Sequence, residues 1–338
     1  MTEPSARNLP SRKLLWAYAR GVPYGEVPDW LAESLRAAFP QLHAIISCDS
    51  ETIFREMADA EIFVSWTLKP EQFARAQKLR WIHSPAAGVT QLLFPAVVES
   101  DVIVTNSTTV HSVPVAEQAV ALLFALARRF RNCFDDQARR HWGQRESWEP
   151  SRIPTELNGK TLGLIGLGAI GREVAKRARA LGMTVVAVKR NPSRGAEPAD
   201  RVYSPRELHA LLEQADYLVL AAPGNSETRH MIGENELRRM KPSASLVNVA
   251  RGSLVDTDAL VRALESGTIA GAGLDVTDPE PLPPEHPLWK LPNVIITPHL
   301  AGATDRYWQR QADMLFENLR RYLAGEPLLN LVDKQKGY

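Results

Sequence analysis

Cysteine is nearly missing from this 338-residue chain: Cys48 and Cys133 are the only two. Two cysteines cannot make a disulfide framework, and no CxxC or similar metal-ligand spacing occurs. No metal site is expected, and a reducing, cytoplasmic compartment is the default reading. Charge of one sign is lacking as well. Forty Lys+Arg face thirty-nine Asp+Glu, a net charge of +1. That balance argues against a basic nucleic-acid binder and against an acidic disordered tail. Long apolar runs are also missing. The longest, residues 119–127, falls far short of the ~20 residues that a membrane span needs, so no membrane partner is expected. The opening MTEPSARNLPSRK shows none of the apolar core that a signal peptide carries.

What the chain does have is an alternation of short apolar runs and helical stretches. At ~150 residues per domain, the length fits two domains. A hydrophobic fraction of 44% is enough to fill their cores. Residues 13–19, 44–48, 62–66, 81–84 and 102–105 read as buried strands, β-branched or aromatic and bounded by turn residues. Residues 30–38 and 70–77 read as helices between them. Pro114 opens the longest helical pattern, PVAEQAVALLFALARRFRN, with the proline at the first helical position, where its missing N–H costs nothing. That helix is apolar over most of its circumference, which places it between two domains or in a twofold dimer interface. Residues 141–154 read as a connection.

A second and clearer series begins at Gly159. Strands are expected at 161–165, 184–188, 217–221, 245–249, 272–276 and 294–297, and helices at 170–181, 205–213, 234–240 and 257–266. Strand alternating with helix implies parallel sheets covered on both faces. The expected fold is α/β with two doubly wound parallel-sheet domains. Residues 113–302 would form the nucleotide-binding domain. A last helix, 305–324, should return to the first domain, making it discontinuous (1–112 and 303–338).

Gly166-Leu167-Gly168-Ala169-Ile170-Gly171 follows a strand directly and opens the helix AIGREVAKRARALG. GxGxxG alone is a weak signal, but between strand and helix it reads as a dinucleotide-phosphate loop. The first glycine permits the turn, the second admits the pyrophosphate, and the third allows helix and strand to pack closely. The helix N–H groups then face the anion. The bland alternative, a glycine-rich turn without a ligand, fits that context less well. About 20 residues on, an NAD-binding unit places a carboxylate against the ribose 2′-OH. Here the chain reads VVAVKRNPSR, with no carboxylate until Glu197. Lys189, Arg190 and Arg194 supply positive charge, and Asn191 and Ser193 supply hydrogen-bonding groups. A basic surface loop is the plain alternative. The position favours a 2′-phosphate, so NADP(H) is the expected cofactor, with NAD(H) second to it.

In an open α/β sheet, ligands bind beyond the carboxyl ends of the strands. Three reactive side chains follow strands of the second series: Arg251 after SLVNV, Glu280 after AGLDV, and His299 after VIIT. Arg251 can hold a carboxylate or polarise a carbonyl. His299 can give a proton to an oxygen as hydride reaches its carbon. Glu280 can orient the imidazole. Each alone is as easily a structural residue, and it is their coincidence at three strand ends that points to hydride chemistry.

These residues resemble the D-isomer-specific 2-hydroxyacid dehydrogenase family. The resemblance rests on WIHSPAAGVTQLL, VTNSTTVHSVPVAEQAVALLFALAR, LNGKTLGLIGLGAIGREVAKRARALGM, LVNVARGSLVDTDALVRAL, AGAGLDVTDPEPLPPEHPLW and NVIITPHLAG, which cover most of residues 81–302. It implies a flavodoxin-like substrate domain and a Rossmann domain with a cleft between them. It places the catalytic arginine, glutamate and histidine on Arg251, Glu280 and His299. Ala87, Gly88 and Val89 of AAGV would meet the substrate carboxylate. Asp275 would contact the nicotinamide carboxamide, with Val249 and Ala250 lining that pocket and Pro223 a further cofactor contact. Thr277 and Gln118 depart from the family pattern, which often has an aromatic residue and a histidine there. The Lys189-Arg190 pair looks like the NADP-using, glyoxylate/hydroxypyruvate reductase-like branch.

The expected activity is therefore reduction of a small 2-oxo acid to a D-2-hydroxy acid. Two alternatives share the fold: a nucleotide-sensing scaffold similar to the C-terminal-binding corepressors, and a dehydrogenase of a bulkier substrate.

Overall fold

The computed structural model describes residues 12–21, 25–150, 152–192, 195 and 197–337. The chain divides into two compact units. One takes the chain up to His111 and again from Thr304, and the other is Ser112–Ala303.

The first unit is built on β1 (Arg12–Ala17), β2 (Leu42–Ser47), β3 (Ile62–Val64), β4 (Trp81–His83) and β5 (Ile103–Thr105). They form one sheet in the order β2-β1-β3-β4-β5, and every ladder is parallel. This is the flavodoxin-like order. Alternate residues of β1 feed opposite faces, as strand geometry requires. Leu14 and Trp16 pack with Leu31, Leu35, Leu315 and Leu319. Leu15 and Ala17 pack with Ile53, Met57 and Val97. The helices Asp29–Ala38 and Tyr307–Ala324 thus cover one face, and Ser50–Glu56 and Pro95–Glu99 the other.

The second unit holds β6 (Thr161–Ile165), β7 (Thr184–Val188), β8 (Arg201–Tyr203), β9 (Tyr217–Leu220), β10 (Ser245–Asn248), β11 (Gly271–Leu274) and β12 (Val294–Ile296). The order is β12-β11-β10-β9-β6-β7-β8, again parallel throughout. Sequence turns back on itself between β6 and β9, which is where a Rossmann sheet binds its nucleotide. The α/β class and both parallel sheets agree with the sequence reading. The edge strand β8 escaped it, because three residues beginning with a charged arginine show no alternation to read.

The long helix differs from its expected form. It starts at Thr108, not at Pro114, and runs to Ala127 with the proline inside it. The start is set by Asn106, whose Oδ1 accepts from the Thr108 amide at 3.2 Å and from its hydroxyl at 2.8 Å. That cap gives the helix a start upstream of the proline, which then removes one ladder hydrogen bond from the helix interior. The helix also stops early. Arg129 takes a left-handed φ of 58° and a separate helix, Phe130–Ala138, follows. With 20 residues, the long helix is long and apolar enough to cross a bilayer by length and composition, yet half of its most apolar stretch is buried inside the protein. It lies against β11, whose glycines make room: a Cβ on Gly273 would sit 3.1 Å from Leu122 Cβ.

Candidate active site

The glycine loop joins β6 to the helix Ala169–Ala180. Gly166 has φ +98°, and a Cβ there would lie 2.7 Å from the Ala221 carbonyl oxygen beyond β9. Only glycine lets the turn close against that neighbour. A Cβ on Gly171 would overlap the Gly166 carbonyl, whereas one on Gly168 would meet nothing within 4 Å. Among the described residues, the N–H groups of Gly168, Ala169 and Ile170 meet no acceptor. Unpaired donors at a helix N-terminus, beside a bare glycine, suit a pyrophosphate. Pro223 lies two residues beyond Ala221 in the segment that follows β9, and the residues present fit a dinucleotide.

The strand-end trio lies in this same unit. His299 Nδ1 donates to Glu280 Oε1 at 2.5 Å, and both side chains are about half exposed, 48% and 40%. With Nδ1 engaged, Nε2 is the nitrogen left to face a ligand. His299 is held in a left-handed φ of 50°, an uncommon conformation for a non-glycine residue. Asp275 holds it there. Its carboxylate is 2% exposed and accepts from Thr297 Oγ1 at 2.6 Å, the Leu300 amide at 3.1 Å and the Ala301 amide at 2.9 Å. Its carbonyl accepts the His299 amide at 2.8 Å. Gln118 extends the network by donating to Thr297 Oγ1 at 3.1 Å. The glutamine that departs from the family pattern is thus one step behind the histidine turn.

Arg251 leaves β10 through a turn that Asn248 shapes. The Asn248 amide donates to the Arg251 carbonyl at 2.8 Å and its Oδ1 accepts from the Ala250 amide at 3.0 Å. Gly252 then passes so close to Thr277 that a Cβ would overlap the Thr277 carbonyl oxygen. The close approach brings the arginine turn alongside the segment that carries Glu280. The guanidinium is open to solvent on one side, while the protein behind it desolvates it and lowers its pKa, and the charge of Glu280 opposes that shift. It stays charged, because an arginine begins so far above neutrality. Val249 and Ala250 are buried under this turn.

The cations past β7 are engaged at the surface. Arg190 pairs with Glu227 at 2.5 Å, the side chains 45% and 71% exposed. Lys189 Nζ donates to the Gly195 carbonyl at 3.4 Å. Asn191 follows them on the same loop, while Ser193 and Arg194 lie outside the described residues.

In the first unit, the loop after β4 has its carbonyls drawn inward. Pro85 O accepts from Gln311 Nε2 at 2.5 Å, Ala86 O from the Ser107 amide at 3.0 Å, and Ala87 O from Asn106 Nδ2 at 3.0 Å. Among the described residues, the amides of Ala87, Gly88 and Val89 meet no acceptor. Successive unpaired amides form a nest for an anion. Sequence reasoning missed Asn248, Gly252, Asn106 and Gln311. It also assigned Asp275 to the cofactor alone, without its hold on the His299 turn.

Residues 120–301 match the family described as "D-isomer specific 2-hydroxyacid dehydrogenase, NAD binding domain". The chain belongs to the D-isomer-specific 2-hydroxyacid dehydrogenase family. A glyoxylate reductase of Korarchaeum cryptofilum is 38% identical over 84% of this chain and 86% of its own. A crystal structure of a family protein from Aeromonas salmonicida is 30% identical, with a TM-score of 0.81 over 96% of this chain and 99% of that one. An NADPH-dependent glyoxylate/hydroxypyruvate reductase from Sinorhizobium meliloti, solved with NADP and sulfate, is 25% identical, with a TM-score of 0.81 over 97% and 100%. The chain is accordingly an NAD(P)-dependent 2-hydroxyacid dehydrogenase.

Proposed function

We propose that the protein is an NADPH-preferring reductase of small 2-oxo acids, glyoxylate or hydroxypyruvate foremost, giving the D-2-hydroxy acid where the product is chiral. The observation that carries the reading is the 2.5 Å contact between His299 Nδ1 and Glu280, which commits the opposite ring nitrogen to the substrate. A dinucleotide held on the amides of Gly168, Ala169 and Ile170 would supply the hydride that reduces the keto carbon. His299 Nε2 protonates the oxygen as negative charge develops on it. Glu280 keeps the ring oriented and stabilises the imidazolium, and Arg251 polarises the carbonyl through its fixed donors. The amides of Ala87, Gly88 and Val89 hold the substrate carboxylate, which makes the first unit the substrate domain. The glyoxylate reductases among the relatives support the choice of substrate.

A panel of 2-oxo acids of rising bulk, assayed with NADPH and NADH, tests this reading. The expected result is highest kcat/KM for glyoxylate or hydroxypyruvate, and D-glycerate from the latter. Preference for a branched or aromatic 2-oxo acid, or an L product, would overturn it.

We also propose a homodimer. Half of the most apolar stretch of the long helix is already buried inside the protein, so the stronger support comes from the residues after it. Phe130, Phe134, Trp142 and Trp148 are 42%, 61%, 87% and 74% exposed. Aromatic side chains of ~150–250 Å² each are unusual to leave in water, and a second copy would cover them. Light scattering at micromolar concentration should give the dimer mass, and Trp142→Ser with Trp148→Ser should shift it toward the monomer. A monomer in the parent protein would defeat this proposal.

A further inference from the structure

Beneath the loop after β4 runs a line of buried polar groups that no role above absorbs. Trp81 Nε1 lies 2.8 Å from Thr105 Oγ1, and Thr105 Oγ1 lies 2.8 Å from His83 Nδ1. His83 Nε2 is 3.3 Å from Ser107 Oγ, and Ser107 Oγ is 2.9 Å from Gln311 Oε1. Gln311 Nε2 reaches the Pro85 carbonyl, which His111 Nε2 also approaches at 3.1 Å as a second donor and the one titratable group on that oxygen among the described residues. Every member is nearly or wholly buried, Gln311 at 2% exposed, and all five belong to the first unit.

The chemistry of the two ends fixes the direction of the whole line. Gln311 Oε1 and the Ser84 carbonyl only accept from Ser107 Oγ, so that hydroxyl oxygen accepts from His83 Nε2, and the bare Nδ1 takes the hydroxyl hydrogen of Thr105, whose oxygen accepts from the Trp81 indole. His83 therefore carries its proton on Nε2 and donates to Ser107. Burial pushes the imidazole down to about 3, so the ring stays neutral and keeps that single tautomer at working pH. At the other end, a carbonyl only accepts, so Gln311 offers its NH₂ to Pro85 and its Oε1 to the Ser107 hydroxyl. The Ser84 carbonyl, 3.0 Å from Ser107 Oγ, shares that hydroxyl hydrogen. Reversing the histidine would leave Nε2 and Ser107 Oγ facing each other as acceptors with no hydrogen between them.

We propose that this one-directional chain is the positioning device for the substrate-carboxylate loop, and that Gln311 is the positioning residue that couples it to Pro85. The proposal rests on the reading of Ala87, Gly88 and Val89 given above. Drawing the Pro85 carbonyl inward turns the following peptide units over, so that their amides are presented together and unpaired. Gln311 comes from the last helix of the chain, 226 residues from Pro85. The loop geometry thus depends on a residue that never touches the substrate.

The test uses the full chain, with glyoxylate and NADPH. Gln311→Leu, isolated as a folded protein, should raise the glyoxylate KM about tenfold, the usual scale for one lost buried hydrogen bond, with the NADPH KM unchanged and kcat little altered. Gln311→Glu separates positioning from bulk packing. When protonated, its carboxyl reproduces the glutamine, accepting from Ser107 and donating to Pro85. When ionised, it sets an oxygen against the Pro85 carbonyl. The ratio of its glyoxylate KM to that of the parent should therefore be near one at acid pH and rise with pH. Ser107→Ala, a smaller change, should raise the same KM severalfold and serves if both glutamine variants misfold.

A folded Gln311→Leu with the parent KM, a Gln311→Glu ratio flat in pH, or an equal loss of NADPH affinity would each overturn the proposal. If the parent does not reduce glyoxylate, the functional reading fails by itself. Oxamate binding to the NADPH-bound protein, measured by calorimetry, then decides the loop. Weaker binding in Gln311→Leu supports the positioning role, and equal binding or none in the parent contradicts it.

Discussion

Replacing His299 with alanine is expected to lower kcat on glyoxylate by ~10²–10⁴, the range that general acid catalysis contributes, while NADPH affinity stays essentially as it was. Two features set this expectation. The imidazole is held by Glu280 at 2.5 Å, so only one nitrogen remains to serve the substrate. Its backbone is held by the buried Asp275, which accepts from the amides of Leu300 and Ala301. The turn therefore survives loss of the ring, and the variant should fold. The unpaired amides of Gly168, Ala169 and Ile170, which the proposed function gives to the cofactor phosphates, belong to a separate loop after β6, which is why cofactor binding should not follow activity down. Glu280→Gln should lose less than His299→Ala, because a neutral amide can still accept from Nδ1 but stabilises the imidazolium poorly. Near-normal turnover in a folded His299→Ala would remove the histidine from the mechanism.

The second large effect expected is on cofactor choice. Lys189→Asp combined with Arg190→Ala should move the ratio of kcat/KM for NADPH over NADH toward NADH by about a hundredfold. Each charge-assisted contact with a 2′-phosphate contributes ~1.5 kcal/mol at the low end, which is about tenfold in affinity. Two such contacts are lost together, and the new carboxylate offers the ribose 2′-OH an acceptor. The low end is the right one here. Arg190 already pairs with Glu227, and that pair is largely open to solvent, so screening weakens whatever replaces it. Glu227→Gln should accordingly raise the NADPH preference a little by releasing Arg190. Equal kcat/KM for the two cofactors in the parent, or an unchanged ratio in the double variant, would show that these cations do not reach the phosphate.

Much of this architecture was legible in the chain because it is written in local pattern. β6 and β7 are five-residue, mostly apolar runs closed by Gly166 and Lys189, and GxGxxG sits between the first of them and a helix. Arg251, Glu280 and His299 stand out because each follows such a run. What stayed hidden depends on partners far away in sequence. Nothing near Gln311 marks it as a buried support for Pro85, and its contact with Ser107 spans 204 residues. Asp275 reads as a strand-end carboxylate, and only its three donors reveal that it holds the histidine turn. Pro114 misled in the opposite way. A proline is the usual mark of a helix start, but Asn106 supplied a better cap two residues before the true first turn.

The most direct test of the central claim follows both reactants at once in a single mixture of the purified protein, NADPH and glyoxylate. The account predicts that NADPH is oxidised and glycolate formed in equal amounts, at a rate that saturates with glyoxylate. NADPH that binds but is not oxidised, by glyoxylate or any other 2-oxo acid, would contradict the account and would put the chain with the nucleotide-sensing scaffolds of the same fold.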